Sequence, residues 1–79
     1  MTKDEALNWL ATVFEAPAGS LTPDTVRDDV PGWDSLGVLA MMADLDEKFS
    51  IQLSDAEVEA LAKVSDVLAL LQQRGALAA

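Results

Sequence analysis

Over the first fifteen positions, Leu7, Leu10 and Phe14 recur at helical spacing with Trp9 and Val13 beside them, the pattern of a helix with one buried stripe. Thr2 and Glu5 fit a capping box, in which a hydroxyl and a carboxylate each accept from the other residue's backbone N–H. A helix is therefore expected from about Lys3 to Glu15. Between Ala16 and Trp33 the breakers Pro17, Gly19, Pro23, Pro31 and Gly32 preclude another long helix. A long loop is expected there, pinned to the core by Leu21, Val26 and Val30, and loops of this length tend to be functional. A second helix follows, capped by Asp34 or Ser35, with Leu36, Leu39, Met42, Leu45 and Phe49 as its apolar stripe. Ser54 and Glu57 form another capping box, with Leu53 and Val58 as its hydrophobic staple, and open a short third helix ending near Leu61. Ser65 is read as the cap of a fourth helix that buries Leu68 and Leu71, and Arg74 with Gly75 closes it.

No strand pattern or internal repeat interrupts this series. The fold class expected is all-α, a four-helix bundle with a long loop between helices one and two and a short third helix, forming one domain over residues 1–79. A chain of 79 residues buries only about 60% of its unfolded surface, so its stability is modest.

Composition narrows the function. There is no cysteine and no histidine, which removes disulfides, thiolate or imidazole metal ligands, and Ser-His or Cys-His nucleophile pairs. Fourteen acidic against five basic side chains leave a net charge of -9, which argues against binding a nucleic acid backbone and for basic protein partners. The longest apolar run, Val38 to Ala43, is too short to cross a bilayer. A cytoplasmic protein is expected, with a monomer as the default.

Among residues able to carry chemistry, Asp34-Ser35-Leu36 is the most informative because it falls in the first turn of the second helix. There an attached phosphate would meet unpaired N–H groups and the positive end of the helix dipole. Taken alone, the tripeptide reads first as a pair of helix caps, the preferred residues before an apolar helix. Asp24, Asp28, Asp29 and Asp34 crowd the loop, but Val26 stands where a calcium loop needs a ligand, so they read as a solvated acidic segment. Trp33 reads as packing, and Met41 and Met42 as core filler.

Asp34-Ser35-Leu36, Leu45-Asp46-Glu47-Lys48-Phe49 and Ile51-Gln52-Leu53-Ser54-Asp55 together resemble, in motif and spacing, the acyl carrier proteins. The resemblance covers nearly the whole chain. It implies that a phosphopantetheinyl transferase attaches 4'-phosphopantetheine from coenzyme A to Ser35, with Asp34 as a recognition contact and Leu36 as part of the docking surface. It implies a non-catalytic carrier whose arm holds acyl cargo as thioesters for an acyltransferase, a ketosynthase or another acyl-processing enzyme. The imported thiol also accounts for the lack of cysteine.

The chain departs from the family where many fatty-acid carriers have acidic residues. Gly37, Val38 and Ala40 occupy those first turns, and Asp44, Asp46 and Glu47 keep the acidic character farther down. Val38 and Ala40 are therefore expected to form an uncharged partner-binding patch, with Asp44, Asp46 and Glu47 adding salt-sensitive help. Gly32-Trp33-Asp34-Ser35 differs from the glycine- and histidine-containing signature of peptidyl carriers, which favours acyl over aminoacyl cargo. It looks like free-standing carriers of polyketide or other specialised pathways, with an excised synthase domain as another possibility. The alternatives are an acidic helical adaptor without a prosthetic group, a peptidyl carrier, and a small hydrolase using Ser35, which has no base to activate it.

Overall fold

The computed structural model describes residues 1–77. Its elements are α1 (Lys3–Val13), a 3-10 turn at Arg27–Asp29, α2 (Ser35–Phe49), α3 (Asp55–Glu59) and α4 (Val64–Gln73). Both expected capping boxes are present. Glu5 N–H donates to Thr2 Oγ1 at 3.1 Å while Thr2 N–H donates to Glu5 Oε1 at 2.8 Å. Glu57 N–H and Ser54 N–H make the same reciprocal pair at the start of α3.

α1 stops at Val13, two residues short of the expected end. Ala16 precedes Pro17 and is thereby biased away from helical geometry. The chain reverses instead at Glu15, whose φ is +53°, and the N–H groups of Glu15 and Ala16 donate to the carbonyls of Thr12 and Ala11. Gly75 plays the same part after α4. With φ at +79°, it and Ala76 donate to Gln72 and Leu71, which closes the last turn with the left-handed glycine motif.

Ser65 is not the cap of α4. The helix begins at Val64 with Lys63 in the cap position, two residues earlier than expected, and its first N–H groups go to the long loop: Val64 donates to the Thr25 carbonyl and Ser65 to the Pro23 carbonyl, each at 2.9 Å. The Asp66 carboxylate reaches back to the N–H groups of Ala62 and Lys63. Arg27 N–H completes this seam by donating to the Ala62 carbonyl at 2.9 Å, and Val26 and Lys63 form an isolated antiparallel bridge. The long loop is therefore stitched by its backbone to the start of α4. Leu21 and Val30 bury their side chains as expected, whereas Val26 is exposed, and the backbone of its neighbours Thr25 and Arg27 does the anchoring.

The buried residues form one cluster that draws on every helix and on the loop: Leu10 and Phe14 from α1, Met41 and Leu45 from α2, Val58 from α3, and Val64, Val67, Leu68 and Leu71 from α4. Within α2 the expected stripe is displaced. Leu45 is buried, but Leu36 and Leu39 are 76% and 61% exposed, and Gly37, Val38 and Met41 face the core in their place. Val38, Met41 and Leu45 make a stripe at spacings of three and four as good as that of Leu36, Leu39 and Met42. The apolar residues wrap most of the helix, so the period alone allowed either face.

Glycine decides between them. A Cβ on Gly37 would lie 2.0 Å from the Gly32 carbonyl oxygen, and one on Gly32 would lie 1.7 Å from the Phe14 carbonyl oxygen. The end of α1, the end of the loop and the first turn of α2 meet backbone to backbone, with both glycines innermost. This contact turns Gly37 inward and fixes the rotation of α2 about its axis.

Candidate functional site

Asp34 and Ser35 divide the roles that each could have taken. Asp34 is the N-cap, in extended conformation, and its Oδ1 accepts from Gly37 N–H at 2.9 Å. Ser35 is the first residue of the helix, exposed, and its hydroxyl makes no hydrogen bond among the described residues. In the first turn the N–H groups have no intrahelical acceptor, so Ser35 holds a free hydroxyl at the positive end of a fifteen-residue helix.

Two grooves flank this serine. One, of about 340 Å³, is lined by Arg27, Ser35, Val38, Leu39, Met42, Asp55, Val58 and Glu59 and opens between α2 and α3. The other, of about 430 Å³, runs along the opposite side of α2 past Leu36, Gly37 and Ala40 to the end of α1. Trp33, immediately before the cap, is buried and stacks on Phe14 with ring centroids 4.9 Å apart. The Arg27 guanidinium lies over the Trp33 ring at 5.8 Å, and the indole Nε1–H finds no acceptor among the described residues.

The structure separates the residues expected at the partner surface. Val38 is 8% exposed and packs into the core, so it is not part of an open patch. Ala40 is exposed, with Leu36, Leu39 and Ala43 on the same side of α2. Asp44 is engaged internally: its Oδ2 accepts from Trp9 Nε1–H at 2.9 Å, which ties α2 to α1, and lies 3.7 Å from Lys48 Nζ. Asp46 and Glu47 are exposed, Asp46 with a long 3.5 Å contact from Gln52. Leu36 and Leu39 at the surface were missed as a pair, although an α2 apolar on more than one side was the available signal. The loop aspartates do not converge, and among the described residues no group of three metal-ligating side chains gathers. No described helix is long and apolar enough to cross a membrane.

A small helical bundle that offers an unengaged hydroxyl on the first turn of an exposed helix presents a position at which a group can be attached. The comparisons name the group. Residues 5–71 match the family described as the phosphopantetheine attachment site. An acyl carrier protein of an Exiguobacterium species is 38% identical over 94% of this chain and 99% of its own length. Another, from Exiguobacterium sibiricum, is 32% identical over 91% and 96%. The solution structure of a holo acyl carrier protein from Geobacter metallireducens superposes with a TM-score of 0.73 at 27% identity, covering 92% of this chain and 85% of that one. The chain belongs to the acyl carrier protein family, and its prosthetic group is covalently bound 4'-phosphopantetheine.

Proposed function

We propose that Ser35 is the attachment residue and that the chain carries acyl intermediates between enzymes of polyketide or fatty-acid-like biosynthesis, as one carrier unit spanning residues 1–79. The observation that carries this reading is the division of labour at the start of α2. The Asp34 carboxylate satisfies Gly37 N–H, so the neighbouring hydroxyl is free to be esterified without uncapping the helix. Gly37 and Val38 N–H are taken by Asp34, which leaves the N–H groups of Ser35 and Leu36 at this helix start available to an anion.

When bound, the arm supplies a terminal thiol that holds acyl groups as thioesters. The chain's own part is to anchor, present and expose. No histidine or cysteine is available as a base, and the carboxylate of Asp34, which precedes Ser35 in the chain, already accepts a backbone hydrogen bond. These features support a carrier acted upon by a phosphopantetheinyl transferase and by an acyltransferase, a ketosynthase or another acyl-processing enzyme. Leu36, Leu39 and Ala40, with Asp46 and Glu47 lower on the helix, are the residues such enzymes would meet on the way to the thiol. The cytoplasmic setting and the monomeric state expected from the sequence belong to the same reading.

Intact-mass measurement after incubation with coenzyme A and a broad-specificity phosphopantetheinyl transferase tests it. One phosphopantetheine should be gained by the wild type and none by Ser35→Ala. No gain, or a gain that survives the substitution, removes Ser35 as the anchor and leaves an acidic adaptor as the alternative.

A further inference from the structure

Arg27 stands out among the few basic residues because of where its backbone and side chain are held. Its N–H donates to the Ala62 carbonyl at 2.9 Å and its own carbonyl accepts from Val30 N–H at 3.0 Å, so its Cα is fixed at the seam between the loop and α4. Its guanidinium lies over the Trp33 ring, and Trp33 is itself stacked on Phe14. A planar cation over an indole face keeps its N–H donors free at the ring edge. Among the described residues those donors make no ion pair, the two salt bridges found joining Lys48 to Asp44 and Arg74 to Glu57.

Arg27 also lines the same groove as Ser35, where it is the sole cation among the lining residues. Asp55 and Glu59 from α3 line it as well. Trp33, over which the guanidinium lies, is two residues before Ser35 in the chain, so the cation is held against the segment that leads into the serine. Resting on the attachment reading above, we propose that Arg27 is a binding residue for the phosphodiester of the arm, donating charge-assisted hydrogen bonds that orient the first segment of the arm toward the groove between α2 and α3. Arg27 acts here on the phosphodiester and not on a carboxylate of the cargo.

The experiment compares apo and loaded wild type by NMR, with loading verified by intact mass. The Arg27 Nε–Hε cross-peak should move on loading, and its exchange with water should slow several-fold, with the bare arm already producing the full effect. The 31P resonance of the loaded protein should shift in Arg27→Gln and fall between the two in Arg27→Lys. Failure of the wild type to gain the arm, or gain of the arm by Ser35→Ala, overturns the attachment reading and this proposal with it. Normal loading with an unmoved Arg27 signal and an unshifted 31P resonance overturns the proposal alone. A response that appears only with a malonyl cargo, and not with the bare arm or an acetyl cargo, assigns Arg27 to the cargo carboxylate and also overturns it. Should Arg27→Gln lose its fold, judged by its amide spectrum, the comparison of apo and loaded wild type decides by itself.

Discussion

Gly37 in the first turn of α2 stands against the carbonyl of Gly32, so close that a Cβ on Gly37 would lie 2.0 Å from that oxygen. The contact joins the exit of the long loop to the helix that bears Ser35, and both partners are backbone. Neither can yield by changing rotamer. Gly37→Ala is therefore expected to destabilise the protein by about 1–3 kcal/mol, as overpacking does, although alanine exceeds glycine in helix propensity by about 1 kcal/mol. Urea unfolding checks this. A gain in stability would mean that α2 can shift outward at little cost.

Val38 and Leu39 are neighbours in sequence with opposite surroundings, 8% and 61% exposed. Val38→Glu puts an unpaired charge into the buried apolar cluster and is expected to lose about 3 kcal/mol or more. Leu39→Glu should change stability by no more than about 0.5 kcal/mol, as surface substitutions do, while slowing acyl transfer by an enzyme that reads the apolar face beside Ser35. This reverses the expectation from periodicity, in which Leu39 is core and Val38 is surface. Thermal melts of both variants, with transfer rates for Leu39→Glu against one acyl-processing enzyme, check it.

Asp44 joins α2 to α1 through the Trp9 indole N–H, so its first contribution is to stability. Asp44→Ala and Trp9→Phe should each cost about 1.5–3 kcal/mol, the range for a hydrogen bond to a charged group. The double variant should cost clearly less than their sum. Full additivity in a double-mutant cycle would show that the pair is not coupled.

Glu57 accepts from Ser54 N–H and from the Arg74 guanidinium, and these bonds, that of Ser54 first, hold its carboxyl below the ordinary glutamate range. A depressed value means that the folded state binds the proton less readily than the unfolded chain. The stabilisation is present above the ordinary pKa of about 4.3 and is lost as pH falls through the lower folded value. Acid also relieves repulsion within a chain of net charge -9, so the readout is a difference. The gap in Tm between wild type and Glu57→Gln should narrow from about pH 6 to about pH 3, a window that spans the glutamate titration. A constant gap would show that the carboxylate contributes nothing specific to α3.

What the sequence determined by itself is local. Thr2 with Glu5 and Ser54 with Glu57 are three residues apart, so their capping geometry follows from helix pitch alone, and both boxes formed where the letters stood. Gly75 ends α4 for the same kind of reason, and the order of long and short helices follows from the positions of proline, glycine and cap residues. The candidate serine was legible because motif and helix start coincide at Asp34-Ser35-Leu36. Tertiary contact decided whatever depends on which side of a helix faces in. Two interleaved apolar stripes on α2 satisfy the same period, and only the backbone contacts from Phe14 through Gly32 to Gly37 choose the one that is buried. Partners distant in sequence were out of reach of spacing in the same way. Ser65 reads as a cap in isolation, but the carbonyls of Pro23 and Thr25, about forty residues earlier, take the N–H groups of Val64 and Ser65. Arg27 is one cation in an acidic loop until the fold lays it over Trp33 and beside the serine, because a groove exists only where segments remote along the chain are brought together.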